Sequence, residues 1–225
     1  MNTVQSLFTQ KGITDSIRML HTPGDFARKN LLYVQEVGKL KSLKPHQSRR
    51  ENLDSFLFLG VQEGEGSIEI KGRVHRLRKG DCALINCADP YVHESSEEKP
   101  WRLMWVHFNG ITAKAYHELF YEKNEDCNVF LPENLRTAEQ CIDQLMEYQK
   151  GKDLESELES GSILVNLVNF CLGSVMRKES PEQEKEVKCC ARIREYVNEN
   201  YREQGLMSLL CEKYGREEEE LNALF

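Results

Sequence analysis

The chain has 225 residues, 37 of them Asp or Glu and 30 Lys or Arg, for a formal net charge of −7 with 40% hydrophobic residues. That length holds one sizeable domain, or one domain with a small appendage. No hydrophobic run reaches the length of a bilayer span, and the opening MNTVQSLFTQKG lacks the charged start and apolar core of a signal peptide, which points to a cytoplasmic protein with no membrane partner. The eight cysteines show no CxxC or metal-finger spacing. A disulfide between the neighbours Cys189 and Cys190 would be strained, so the thiols read as free and mostly buried.

The first clear strand signal is the apolar run Phe56 to Val61, which ends at Gly64 and Gly66. Ser67-Ile68-Glu69-Ile70 alternates with period two, and Lys71-Gly72 is a hairpin turn signal. Val74 and Leu77 lead to a second glycine turn, Lys79-Gly80-Asp81. Cys82-Ala83-Leu84-Ile85 is a short buried strand, stopped by Ala88-Asp89-Pro90. From Trp101 to Phe108 large residues alternate. Leu103, Trp105 and His107 face one side; Met104, Val106 and Phe108 face the other. Closely spaced strands with turns between them predict an antiparallel sandwich or barrel, a shape that encloses one small ligand.

After Gly110 the period changes from two to 3.6. Ala113, Tyr116, Leu119 and Phe120 predict a short helix. Thr137 is a candidate N-cap for a second, with Cys141, Ile142, Leu145 and Met146 on one face. The strongest helix runs from Leu154 to Arg177. Its Leu164, Leu167, Val168, Cys171, Leu172 and Val175 form a continuous apolar stripe. The stripe can cover its own sandwich or a second copy. The polar SPEQEKEVK from Ser180 to Lys188 reads as a linker and a domain boundary. The fold class is therefore α+β: an antiparallel sandwich, then helices, then a C-terminal helical segment.

The 63–110 block resembles the sensor domain of the AraC/XylS family of transcription regulators. The matching residues are Gly64-Glu65-Gly66, His75 with Leu77, Lys79-Gly80-Asp81, Pro90 with His93, and the run Pro100-Trp101-Arg102-Leu103-Met104-Trp105-Val106-His107-Phe108-Asn109-Gly110. His46, Arg49 and Arg50, ahead of the first strand, also fit. The resemblance implies a cupin-like sensor over residues 1–120, with an N-terminal arm at about 20–43. It implies a helical connector over 121–179 that dimerises through the stripe, giving a homodimer.

A second resemblance lies at the C-terminus. Ile193-Arg194-Glu195-Tyr196-Val197 with Asn200-Tyr201 looks like the first helix of the family's DNA-binding region. Met207, Leu210, Cys211 and Tyr214 look like a second helix, closed by Gly215. Leu221, Leu224 and Phe225 start a third. This implies a first helix-turn-helix over 189–225, with Arg216 and Asn222 in its DNA-contacting part. The family continues into a second such motif, and this chain ends at Phe225, which implies a truncated region. Glu217 to Glu220 stand at the start of the recognition helix. Residues 181–225 hold eleven Asp/Glu against seven Lys/Arg, a net of −4. Phosphate neutralisation by Lys and Arg dominates DNA affinity, so DNA binding is expected to be weak or absent in this chain.

The candidate ligand contacts are Trp105, His93, Arg49, Glu63 and His46. An indole stacks on the apolar face of a sugar ring. Arg49 and Arg50 suit a carboxylate or phosphate. Glu63 stands where some sugar-sensing relatives have an arginine, and can accept bonds from hydroxyls. His93 follows Pro90 in an expected loop. His46, His75, His93 and His107 show no His-x-His pairing with a following Glu, so no metal, no cofactor and no catalytic residue is expected. The expected function is a regulator that senses a small-molecule effector, a sugar, and binds DNA. Two other readings stay open: a sensor that dimerises without binding DNA, and a metal-dependent cupin enzyme.

Overall fold

The computed structural model describes residues 12–176, 193, 196–197, 200–201, 203 and 205–222. The chain divides into two units, one through Arg177 and one from Lys178. The first unit contains strands β1 Thr14–Leu20, β2 Leu32–Ser42, β3 Gln47–Arg50, β4 Phe56–Glu63, β5 Glu65–Ile70, β6 Arg73–Arg78, β7 Cys82–Asn86, β8 Tyr91–Ser95, β9 Arg102–Gly110 and β10 Val129–Phe130. Its helices are α1 Asp25–Asn30, α2 Ala113–Lys123, α3 Arg136–Tyr148 and α4 Leu154–Met176.

The strands form two antiparallel sheets, β1-β2-β9-β4-β7-β10 and β3-β8-β5-β6. Period-two alternation divides the larger sheet between two cores. Phe56 and Phe58 of β4, with Met104, Val106 and Phe108 of β9, pack with the helices. Leu57, Leu59 and Val61, with Leu103 and Trp105, pack with Ile68, Ile70, Leu77 and Tyr91 of the smaller sheet. The two faces of β9 are those its sequence alternation predicts. The β5–β6 hairpin turns at Lys71 and Gly72, with φ of 50° and 77°. Positive φ at both central residues matches the right-handed twist of the flanking strands.

Several expectations change in the folded chain. Residues 20–43 are not an arm. They hold α1 and β2, and β2 pairs with β1 on one side and β9 on the other, burying Leu32, Val34 and Val37. The helices after Gly110 are not a separate connector; they cover the outer face of the larger sheet within the same unit. Thr137 lies inside α3, where the Arg136 N–H instead bonds the Asn134 side-chain oxygen at 3.1 Å.

The stripe on α4 is likewise turned inward. Leu164, Leu167, Val168, Cys171, Leu172 and Val175 are all buried in the core shared with the larger sheet, α2 and α3. These six side chains cannot meet a second copy while this packing holds. By length and composition alone α4 could cross a membrane, with a mean hydropathy of 1.3, which the sequence reading passed over.

In the second unit, α5 Leu206–Tyr214 and α6 Glu218–Asn222 are joined through Gly215, left-handed at φ 63°. Leu210, Leu221 and Ile193 are buried together. The expected linker 180–188, the Cys189-Cys190 pair, most of the expected first helix, and Leu224 with Phe225 lie outside the described residues.

Candidate functional site

Between the two sheets lies a cavity of about 120 Å3. Six strands contribute inward-facing positions. β1 supplies Ser16 and Arg18, β2 supplies Glu36 and Leu40, and β3 supplies Ser48 and Arg50. Leu57 and Leu59 of β4, Tyr91 and His93 of β8, and Leu103, Trp105 and His107 of β9 complete the wall, with His46 ahead of β3.

The register explains the grouping. Arg18, Gly38, Trp105 and Leu59 lie opposite one another across four adjacent strands. Gly38 is required there: a Cβ would stand 2.7 Å from Trp105 Cζ2 and Cη2 and would strike the Ile17 carbonyl. Its absence lets the indole lie across β2 towards β1. Trp105 Nε1 then donates to Glu36 Oε1 at 2.9 Å, while Glu36 Oε2 pairs with the Arg18 guanidinium. Both partners of that ion pair are largely shielded, with side chains 19% and 15% exposed.

The opposite wall carries the imidazoles of His46 and His93, and His107 stands beside Trp105 on β9. His46 stacks on His93, with ring centroids 6.4 Å apart and planes at 15°, and His93 packs against Tyr91 and Trp101. Among the described residues His93 Nδ1 is buried with no hydrogen-bond partner. Such an atom costs about 1–3 kcal/mol unless something meets it. His107 Nδ1 lies 3.1 Å from the Ser55 hydroxyl. Burial is the main reason these rings resist protonation. It pushes His93 down to about 3, aided by the charge of Arg50, and His107 down to about 4 against the pull of Glu36. Burial lowers His46 as well. The cavity at neutral pH therefore presents neutral imidazoles beside the charges of Arg18, Glu36 and Arg50.

Of the expected contacts, Trp105, His93 and His46 line this cavity. His93 does so from within β8 rather than from a loop. Arg49 lies outside it. In a strand, neighbours face opposite sides; Ser48 and Arg50 point in, while Arg49 is 71% exposed and pairs with Glu51 at 3.6 Å. Glu63 is also outside, paired with Arg102 at 3.6 Å in an open groove that includes Arg136 and Glu139. A wider groove along Glu65–Ser67, Arg76–Arg78 and Glu94–Glu97 is open and polar, so it desolvates little. Arg18, Glu36 and Gly38 escaped the sequence reading. The signal available was a charged residue at an inward position of an alternating strand. Among the described residues no three His, Cys, Asp or Glu side chains are placed to hold a metal ion together. In the second unit, Arg216 is half-buried between α5 and α6, Asn222 ends α6, and Glu217 to Glu220 are exposed.

Two antiparallel sheets with a small cavity between them, and helices on one outer face, define an α+β protein with a cupin-type N-terminal domain. The family model of the AraC-like ligand binding domain matches residues 37–168, more than half of the chain, and the chain belongs to that family. It is similar to a cupin 2 conserved barrel domain protein from Leptotrichia buccalis, at 16% identity and a TM-score of 0.33, covering 42% of this chain and 40% of that one. The AraC-like transcriptional activator CuxR aligns over 93% of this chain and 79% of its own, at 11% identity and a TM-score of 0.43. The cupin 2 domain of an XRE family transcriptional regulator from Enterobacter cloacae aligns over 41% of this chain and 94% of its own, at 14% identity and a TM-score of 0.33. A search of curated proteins finds no match.

Proposed function

We propose that this chain is a ligand-responsive transcription regulator, with a compact, sugar-like effector entering the cavity between the sheets. The observation that carries this reading is the cavity between the sheets, with the stacked His46 and His93 rings on one wall and the Arg18–Glu36–Trp105 network on the other. A ligand that packs on the indole and bonds the polar side chains of the lining gains apolar burial and directed hydrogen bonds together. Membership of a ligand-binding family supports binding rather than catalysis. The response is a population shift: the effector favours whichever arrangement of the chain it binds more tightly. α5 and α6, joined through Gly215, support a helix-turn-helix reading of the second unit. A homodimer has to use a surface other than the α4 stripe, which is buried in its own unit.

A second reading is favoured by a specific observation. Glu217 to Glu220 are exposed at the start of α6, where phosphate would have to approach. In that reading the chain senses its ligand without binding DNA itself. A thermal-shift screen of small metabolites on the full chain, followed by selection of bound fragments from a random DNA pool, tests both. A ligand that raises Tm and changes affinity for a selected sequence is the expected result. A ligand that raises Tm when no sequence is selected returns the second reading. If no small molecule raises Tm, sensing itself is lost.

A further inference from the structure

We infer, resting on the ligand-sensing reading above, that the effector is a hydroxylated monocarboxylate, a sugar acid in chemical class, whose carboxylate meets Arg50. The fixed charges of the cavity argue for one negative charge. Arg18 and Glu36 neutralise each other in an ion pair. Arg50 reaches the cavity from the inward face of β3, and among the described residues no carboxylate is paired with it. The lining is thus left with one uncompensated positive charge. His46, His93 and His107 add none near neutral pH, because burial keeps them unprotonated.

A monoanion balances that charge, and a guanidinium fork matches a carboxylate with two parallel bonds. A dianion such as a phosphate monoester would leave an unmatched negative charge against Glu36, in a space of about 120 Å3. The rest of the wall asks for hydroxyls and carbon together. Ser16, Ser48 and His46 offer polar partners, while Trp105, Leu57 and Leu103 offer apolar surface. A polyhydroxy acid carries all three features on one compact frame.

The test is calorimetric titration of the full chain with D-glucuronate, D-galacturonate, D-gluconate and L-lactate, each beside a neutral counterpart (D-glucose, D-galactose, D-sorbitol and lactamide). At least one acid should bind, and its neutral counterpart should bind more weakly by about tenfold or more. Arg50→Gln, which keeps length and polarity while removing the charge, should weaken the acid by a similar factor. Arg49→Gln, on the outer face, should leave it unchanged. Affinity should be flat between about pH 6.5 and 8, because the facing imidazoles stay neutral there. A neutral compound that binds as tightly as its acid, or an Arg50→Gln protein with unchanged affinity, overturns the inference while the sensor reading stands. Failure of every acid also overturns it; the metabolite screen described above then decides separately whether the chain senses any small molecule.

Discussion

Trp105 and Glu36 are joined by a 2.9 Å bond from the indole N–H to a carboxylate that also holds Arg18. One side chain thereby fixes the plane of the cavity's aromatic wall and ties edge strand β1 to its neighbour. Glu36→Ala removes both bonds and leaves a shielded guanidinium and indole N–H to find water. Unfolding free energy in urea should fall by about 1–3 kcal/mol. Trp105 emission should move to the red, while the buried Trp101 stays unchanged. Trp105→Phe, which leaves Trp101 as the sole indole, assigns the signal.

Gly38 is the second determinant of that wall. A methyl group at Gly38 would meet the Trp105 ring at 2.7 Å. Gly38→Ala should therefore cost about 1–3 kcal/mol, as overpacking does, and displace the indole into the cavity. The expected readouts are a lower urea midpoint and loss of binding of any ligand found by thermal shift.

Stability should fall on the acid side through the buried histidines. His93 and His107 are held at about 3 and about 4 in the folded chain, below the ordinary imidazole value. Between those values and about 6.5 the unfolded chain binds protons that the folded chain refuses. The stabilisation is complete above about 6.5 and is lost as pH falls towards 3–4. Urea midpoints measured from pH 7.5 down to 4 should drop steadily, and His93→Gln should flatten the slope.

The stripe on α4 makes a different prediction from the one its pattern invites. Leu167 is fully buried against the chain's own core. Leu167→Ala should cost about 2–5 kcal/mol in unfolding free energy through the cavity it leaves. Sedimentation of the folded variant should give the same oligomeric state as the unaltered protein.

Thiol reactivity should separate two groups of cysteines. Burial raises Cys82, Cys141 and Cys171, and pushes Cys87 up to about 12. Cys127 and Cys211 are partly exposed. The thiolate is the reactive form, so pulsed iodoacetamide with peptide mapping should label Cys127 and Cys211 ahead of the four buried thiols. Cys82, Cys87, Cys141 and Cys171 should react only after denaturant is added.

Much of the architecture was legible along the chain. Strands β4 to β7 and β9 announce themselves by alternation and by turns at Lys71-Gly72 and Lys79-Gly80. The two faces of β9, the presence of α2 and the extent of α4 follow from periodicity alone, because local side-chain spacing sets which face is apolar. Strands β1, β2, β3 and β8 were not read, and with them went most of the site. Their inward faces carry Ser16, Arg18, Glu36, Ser48, Arg50 and His93, so the apolar alternation that marks a strand is broken where the cavity needs polar groups.

The sequence by itself determined that a sandwich with helices would form, and that Trp105 and His107 share a face of β9. Only the tertiary structure decided that Arg50 rather than Arg49 looks inward, that Arg18 meets Glu36, and that the α4 stripe covers its own sheet. Each of those depends on which strand or helix lies beside which. That is settled by long-range pairing and burial, where one residue of register exchanges every inward side chain for an outward one.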